Sequence, residues 1–237
     1  MKKETWFKAL ALVLLFGINM TACSGGDRWK EEALQHDGST VMVERYQTYG
    51  GMGEIGQSAP VKEHTITFSL PGSSEKISWT SPYSQEFGRT NFNVLALHIK
   101  DGTPYVIAEP NLCLSYNKWG RPNPPYVIFK YHNKTWQRIQ LAELPIEFKT
   151  INLVAVSKPY WKIEKVEKKQ GYMTPEDIQA RNREGNLKTL KQYQELLREP
   201  LPPKSSGVAC EVMVHYKCGW TSPGEAGRKM MDMLCKH

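Results

Sequence analysis

"TITFSLPGSSEKISWT", residues 65–80, decides the fold class of this chain. On both sides of its centre apolar residues alternate with polar ones, and the apolar set is Ile66, Phe68, Leu70, Ile77 and Trp79. Alternation with a period of two is typical of a strand that buries one face and leaves the other in water. Residues 71–75 at the centre are Pro, Gly, Ser, Ser and Glu, which favour a turn. The stretch therefore predicts an antiparallel β-hairpin.

Three further hairpins are predicted by turn residues that lie between apolar segments. The Asp-Gly pairs at residues 37–38 and 101–102 tolerate the positive φ of a tight turn, and residues 132–134 form the third turn. These turns join residues 33–34 to 41–43, residues 94–99 to 105–108, and residues 126–131 to 136–141. Residues 151–156 are expected to add another strand. We therefore expect a mainly β fold in which antiparallel hairpins form a sandwich or a meander sheet.

Two helices and one more strand are expected in the C-terminal part. Thr174 as N-cap and Pro175 at the first helical position predict a longer helix near residues 175–197. Its apolar stripe is Leu187, Leu190, Tyr193 and Leu197. Gly185 costs about 1 kcal/mol relative to Ala there and is the point where this helix could divide. Residues 222–225 resemble a capping box and predict a short C-terminal helix near 223–235, after a strand that alternates from residue 208 to 217.

The N-terminus has the layout of an export signal. Lys2, Lys3 and Lys8 precede an apolar run at residues 9–18, and the small residues that follow lead to Cys23. The run has about ten residues, whereas a helix that crosses a bilayer needs roughly twenty. Processing of residues 1–22 as a signal peptide is therefore expected.

Residues 20–23, Met-Thr-Ala-Cys, resemble the lipobox of bacterial lipoproteins. The resemblance covers about the first 25 residues and implies that Cys23 is lipidated and becomes the first residue of the mature chain. Ser24 after it implies transfer to the outer membrane, with the protein on the periplasmic face. The alternative is an ordinary cleaved signal followed by a free cysteine.

Length and charge limit the classes of partner. Cleavage before Cys23 leaves 215 residues, which we divide into a lipidated tether (23–30) and a single β-rich domain (31–237) with a C-terminal α/β extension from about residue 160. Cleavage lowers the formal net charge from +7 to +5, and the remaining Lys and Arg are interleaved with Glu and Asp. No basic footprint for nucleic acid is evident. The expected partners are the lipid bilayer, through acylated Cys23, and a protein of the cell envelope; no cofactor is expected.

The other four cysteines are an even number in an oxidising compartment, so two disulfides are expected. A strand that runs unbroken from Cys210 to Cys218 would separate these two residues by about 27 Å, far beyond the roughly 7 Å limit for a disulfide. A C-terminal helix that folds back along this strand would return Cys235 by about 20 Å, close to Cys210. We therefore predict the pairs Cys210–Cys235 and Cys113–Cys218.

Motifs for catalysis are weak. Two Ser-x-x-Lys tetrads begin at Ser73 and Ser115, but neither lies in a helix-like segment and the companion Lys-Thr-Gly is absent. Neither Gly-x-Ser-x-Gly nor His-Glu-x-x-His occurs. His215 and Cys218 have a spacing that a metal could use, but Cys218 is expected in a disulfide, so no metal site is predicted. The sequence favours a protein that is not an enzyme.

One segment is a candidate recognition loop. Residues 113–126 combine aromatic and basic side chains with Pro, Gly and Asn, and the candidate contacts are Tyr116, Lys118, Trp119, Arg121 and Tyr126. The alternative is that Tyr116 and Trp119 fold inward and cover the end of a sheet.

Three hypotheses about function remain. The first is a periplasm-facing lipoprotein that binds or supports an envelope component. The second is an inhibitor or immunity lipoprotein that acts against an envelope toxin. The third is an envelope hydrolase that uses carboxylates such as Glu109 and Glu147.

Overall fold

Two four-stranded antiparallel sheets dominate the computed structural model, which describes residues 26–50, 60–84, 89–90, 92–155 and 171–235. Sheet I has the order β1 (Asp27–Leu34), β2 (Thr40–Tyr49), β3 (Val61–Ser69) and β4 (Lys76–Thr80). Two short strands, β5 (Tyr83–Ser84) and β6 (Arg89–Thr90), pair with each other. Sheet II is formed by β7 (Phe92–Lys100), β8 (Thr103–Pro110), β9 (Val127–His132) and β10 (Thr135–Ile139), again as a meander. The predicted mainly β class is confirmed.

The four predicted hairpins are present. In the stretch that decided the class, β3 pairs with β4 from Thr65↔Thr80 to Ser69↔Lys76. The turn residues adopt the expected left-handed conformation, with φ of 50° at Asp101, 70° at Gly102 and 50° at Asn133.

The sheets pack face to face around an apolar core. From sheet I come the inward residues Ala33, Val41, Val43, Ile66, Phe68, Ile77 and Trp79, and from sheet II Phe92, Val94, Leu97, Ile99, Val106, Ala108, Val127 and Phe129. At one edge, Trp136 Nε1 donates a hydrogen bond of 2.7 Å to the Ser78 carbonyl. At the other edge, the Gln35 side chain donates to the Leu97 carbonyl at 3.2 Å and accepts from the Ile99 amide at 2.9 Å.

A second core covers the outer face of sheet II. Residues of this face pack against the segments that follow β10, and the contacting residues include Leu95, Tyr105, Ile107, Ile128, Phe148, Ile151, Tyr193 and Leu196. Both faces of β7 and β8 are therefore buried, which explains why these strands are almost continuously apolar.

The structure describes three α-helices: α1 (Leu112–Lys118), α2 (Pro175–Asn182) and α3 (Glu225–Leu234). Thr174 caps α2 as predicted, through a reciprocal hydrogen-bond pair with Asp177. The predicted continuation to residue 197 is wrong, because Gly185 has a φ of 56° and two 3-10 turns (Gly185–Thr189 and Lys191–Tyr193) follow it. α3 is confirmed, but Gly224 is its N-cap and no side chain caps it.

Two predicted strands are wrong. The described part of the first, residues 151–155, is buried irregular backbone whose amide groups bond across layers; the Val154 amide donates to Glu31 Oε2 at 3.1 Å. The second, residues 208–217, is regular only at β11 (Val214–Tyr216), which pairs with β12 (Gly219–Thr221). The first segment is apolar because its side chains are buried in the cores. In the second segment Val208 is buried, whereas Val212 and Val214 are 55% and 37% exposed, so its alternation did not mark a buried strand face.

The predicted tether is shorter than expected. β1 begins at Asp27, and Trp29 is buried against Val154, Met173 and Ile178, so the assignment of residues 27–30 to a tether is wrong. The predicted signal peptide and Cys23 lie outside the described residues.

The disulfide pairing differs from the prediction. Two disulfides are present, but they join Cys113 to Cys210 and Cys218 to Cys235, with Cα separations of 5.3 and 5.8 Å. The predicted pairs Cys210–Cys235 and Cys113–Cys218 are wrong because the strand they assumed is interrupted. The chain reverses between β11 and β12, and α3 therefore packs on its own hairpin and brings Cys235 back to Cys218.

Candidate functional site

The candidate recognition loop is largely inward-facing. Its first half is helix α1, and Tyr116 and Tyr126 are only 4% and 5% exposed, so their expected exposure is wrong. The ring of Trp119 lies 4.8 Å from that of Phe92 and packs against the sandwich core. Lys118 is exposed and Arg121 is half-buried. The alternative in which Tyr116 and Trp119 cover the end of the sheet therefore describes this segment better.

The polar groups of this segment bind the chain's own C-terminal part. Arg121 donates to the carbonyls of Cys210 and Glu211 at 2.5 and 2.8 Å. Asn117 donates to the Glu211 carbonyl at 2.9 Å and accepts from the Met213 amide at 2.9 Å. The side chains that suggested recognition of a partner thus hold residues 210–213 in place beside the Cys113–Cys210 disulfide.

The Ser-x-x-Lys tetrad at residues 115–118 does lie in a helix, contrary to expectation. Ser115 is only 2% exposed, however, whereas Lys118 points to solvent. A buried hydroxyl cannot reach a substrate at the surface, so the geometry does not support a nucleophile at this position.

The two carboxylates considered for a hydrolase are in different environments. Glu109 is 3% exposed and accepts a hydrogen bond from the Tyr193 hydroxyl; burial raises its pKa to about 7. Glu147 is exposed and lies 2.5 Å from Lys100 Nζ, whose hydrogen bond lowers the pKa of this carboxyl. The structure does not bring the two groups together in one pocket, and paired acid–base chemistry would require that.

A buried ion pair in sheet I was not expected from the sequence. Glu31 and Arg45 are 0% and 3% exposed and lie 3.1 Å apart. The indole of Trp29 donates to Glu31 at 2.5 Å, and burial together with Arg45 lowers the pKa of nearby His64 to about 3. The signal was available, because alternation along β1 and β2 places both charged residues on the inward face. Their burial makes them part of the framework and not of an accessible site.

The outward side chains of sheet I form the accessible surface that we name the open face. Its members are Arg28, Lys30, Glu32, Leu34, Thr40, Met42, Glu44, Tyr46, Thr65, Thr67, Ser69, Lys76, Ser78 and Thr80. Two depressions of about 290 and 360 Å³ adjoin on this face and share Glu44 and Thr67. The alternation that decided the fold also placed these polar residues outward.

The two halves of the open face differ in chemistry. On β3 and β4, hydroxyl groups pair across the strands, Thr65 with Thr80 at 3.0 Å and Thr67 with Ser78 at 2.8 Å. On β1 and β2, the Arg28 guanidinium lies 4.2 Å from the centre of the Tyr46 ring. Such groups offer hydrogen bonds, charge and one aromatic surface, which suit binding better than bond-breaking chemistry.

A broader depression of about 750 Å³ lies elsewhere, beside residues 141–147. Arg198 organises it by donating to the carbonyls of Leu144, Pro145 and Phe148 at 3.0, 2.6 and 3.1 Å. Its exposed large apolar residue is Ile146, and several of its polar groups are paired within the chain, Glu147 with Lys100 and Arg198 with backbone carbonyls. This depression therefore offers fewer available contacts than the open face.

Residues 51–56 spell Gly-x-Gly-x-x-Gly but lie outside the described residues. They connect the antiparallel strands β2 and β3, whereas the dinucleotide-binding fingerprint joins a strand to a helix in a parallel unit. Within the described ranges, no group of three His, Cys, Asp or Glu residues is arranged to hold a metal ion.

Comparison with known protein families, with characterised proteins and with solved structures finds no significant match to this chain. In the part of the chain that the structure describes, no helix has the length and apolar character needed to cross a membrane.

Proposed function

We propose that this chain is a lipid-anchored protein on the periplasmic face of the outer membrane. Its function in this proposal is to bind an envelope protein through the open face, without catalysing a reaction on it. The observation that carries the binding assignment is the pair of adjoining depressions on the open face. The inner face of sheet I and both faces of β7 and β8 in sheet II are buried in the two cores. The open face is thus a four-stranded sheet surface that remains accessible to a partner.

Support for the anchor comes from the N-terminal sequence and from the start of β1. The lipobox-like residues 20–23 end at Cys23, and β1 begins at Asp27. Four residues of extended chain span at most about 14 Å. A lipid on Cys23 would therefore keep this end of sheet I close to the bilayer surface.

The anchor is tested on protein extracted from membranes. We expect the intact mass to correspond to a chain that begins at Cys23 and carries acyl groups, and expect Cys23→Ala to remain unprocessed. An unmodified Cys23 in the mature wild-type protein would overturn the anchor.

The open face is tested by photocrosslinking in intact cells. A photoreactive amino acid replaces Thr67 on the open face or, as a control, the exposed Gln137 on β10. We expect one discrete protein adduct from position 67 and none of the same mass from position 137. Equal adducts from both positions, or none from position 67, would contradict the proposal. An envelope-acting toxic enzyme as the captured protein would assign the chain to the inhibitor class.

A further inference from the structure

Helix α3 carries an apolar stripe that faces solvent. The exposed residues Ala226, Met230, Met233 and Leu234 follow the spacing i, i+4, i+7 and i+8, which places them on one side of a helix. Met233 and Leu234 are 66% and 64% exposed, although such side chains are usually buried. An apolar stripe of this kind on a short helix is typical of an interaction surface.

The side of α3 that adjoins the stripe is held firmly against its own hairpin. Gly227 and Met231 are buried there, and a Cβ on Gly227 would lie 2.1 Å from the Ser222 carbonyl oxygen, so only glycine fits. The Cys218–Cys235 disulfide ties the end of the helix to the turn between β11 and β12. The stripe is therefore held outward and cannot rotate into the protein.

Contacts between the two sheets show which strands begin at the same end of the sandwich. Gln35, just after β1, bonds to Leu97 in the C-terminal half of β7. The ring of Phe92, at the start of β7, lies 6.2 Å from the ring of Trp79. Across sheet I, Trp79 lies in the same row of paired residues as Trp29, near the start of β1. β1 and β7 thus begin at the same end of the sandwich.

The C-terminal module lies at that same end. Pro110 at the end of β8 pairs with Phe92, and α1 follows β8 directly. α1 is bonded to residues 210–213 and to Cys210, from which the chain continues into β11, β12 and α3. The start of β1, four residues after Cys23, and the module that carries α3 therefore lie at one end of the molecule.

We propose that α3 is a second membrane contact, which lies on the bilayer surface with its stripe among the acyl chains of anionic phospholipids. This inference rests on the proposed acylation of Cys23, because one end of the molecule then faces the bilayer and α3 is brought to it at high effective concentration. Lys229 borders the stripe and is 72% exposed, and its ammonium group lies 2.7 Å from Glu225 in an exposed ion pair one turn away. Such an exposed pair is weak, so the long side chain can exchange this partner for a lipid headgroup. The net positive charge of the chain favours an anionic surface.

The test uses the full protein extracted from membranes and reconstituted into vesicles of phosphatidylethanolamine and phosphatidylglycerol. A photoreactive benzophenone amino acid replaces either Met233 on the stripe or Glu225, which is exposed on the polar side of the same helix. We expect lipid adducts from position 233 to exceed those from position 225 by about tenfold, and Met230→Glu in the position-233 protein to reduce them strongly. The mass of Cys23 is measured on the same samples.

Each outcome has one meaning. Equal lipid adducts from both positions, or none, would overturn the membrane contact even where Cys23 is acylated. A protein adduct from position 233 in whole envelopes, in place of lipid adducts, would overturn it in favour of a protein interface. Lipid adducts together with an unmodified Cys23 would refute the proposed anchor and leave the contact of α3 standing.

Discussion

At the scale of single residues, burial decides how the charged groups behave. Glu109 and Glu147 are chemically identical, yet burial raises the pKa of the first to about 7 and a hydrogen bond from Lys100 lowers the pKa of the second. In the buried pair of Glu31 and Arg45, the Trp29 indole and the Val154 amide donate further hydrogen bonds to the Glu31 carboxylate. These differences lead to two predictions.

Replacing Glu109 by Gln is expected to remove part of the pH dependence of stability. Because the pKa of Glu109 in the folded state lies above its ordinary value of 4.5, its contribution to the free energy of unfolding is complete below about pH 4.5 and is lost as the pH rises to about 7. As the pH rises, ionisation of Glu109 should lower the free energy of unfolding of the wild type by at most about 3 kcal/mol. The Glu109→Gln variant has no carboxyl at this position and should not show this loss. Urea unfolding at pH 5 and pH 7.5 measures the difference.

Glu147→Gln is the matched control. Since the pKa of Glu147 is lowered in the folded state, its contribution has the opposite sign and is lost as the pH falls. The prediction for Glu109 is wrong if Glu109→Gln and the wild type lose equal stability between pH 5 and pH 7.5.

Replacing Arg45 by Met is expected to cost about 3–5 kcal/mol in the free energy of unfolding, because Glu31 is left as an unpaired buried charge. The double variant with Glu31→Gln should recover most of this loss. Lys76→Met, which breaks the exposed Glu44–Lys76 pair on the same sheet, should cost under about 1 kcal/mol. Chemical denaturation of the wild type and these three variants tests this, and an Arg45→Met cost no larger than that of Lys76→Met would contradict it.

At the scale of elements, the central relation is the docking of the C-terminal segment on α1. Arg121 and Asn117 provide most of the polar contacts to residues 210–213, and Cys113–Cys210 adds a covalent link. Segments held by a few side-chain hydrogen bonds open more readily than strands inside a sheet. The C-terminal module should therefore loosen without unfolding the sandwich.

Arg121→Ala is expected to speed amide hydrogen exchange in residues 211–221, with a local loss of about 1–3 kcal/mol, and to leave exchange in β7 and β8 unchanged. Lys118→Ala, which removes an exposed charge from the same helix, should change neither region. Hydrogen exchange followed by mass spectrometry gives both values. Faster exchange in β7 and β8 as well would mean that Arg121 supports the whole sandwich.

The disulfides should differ in their contribution to stability. In the chain-entropy model, the 97-residue separation of Cys113 and Cys210 corresponds to about 5 kcal/mol and the 17-residue separation of Cys218 and Cys235 to about 3 kcal/mol. Serine replacement of each pair, followed by chemical denaturation, measures these contributions. Non-reducing peptide mapping should recover the same two pairs, and a Cys210–Cys235 peptide would refute this arrangement.

At the scale of the whole molecule, the arrangement is asymmetric. The central strands β7 and β8 of sheet II are buried on both faces, whereas sheet I buries one face and exposes the other. The segments after β10 cover sheet II through Phe148, whose ring stacks on His98 at 4.6 Å and lies 5.4 Å from Tyr105. This cover should belong to the same cooperative unit as the sandwich.

Phe148→Ala is therefore expected to cost about 3–5 kcal/mol, and tryptophan fluorescence and far-ultraviolet circular dichroism should report one shared transition. Ile146→Ala, two residues away and 69% exposed, should change stability by under about 0.5 kcal/mol. Two separate transitions in Phe148→Ala would show that the cover unfolds independently of the sandwich.

The positions of some functional candidates follow from neighbouring residues in the sequence, whereas the positions of others depend on contacts with distant parts of the chain. The outward alternation in β3 and β4 places Thr65 and Thr67 on the open face, and this could be predicted from residues 65–80 alone. The role of Arg121 could not, because its partners Cys210 and Glu211 are about 90 positions away in the chain and show no pattern that relates them to it. The exposed stripe of α3 combines both causes, since its spacing is local but its exposure depends on which side packs on the hairpin.

The mainly β class, the four hairpins and the Thr174 cap could be predicted from residues 65–80 and similar local patterns, because alternation, turn residues and capping residues act over short distances. The presence of two disulfides followed from the number of cysteines. The disulfide partners, the irregular course of residues 151–155 and the burial of Tyr116 and Tyr126 were visible only in the folded molecule. Those features depend on contacts between segments far apart in the chain, where burial and side-chain hydrogen bonds outweigh local preference.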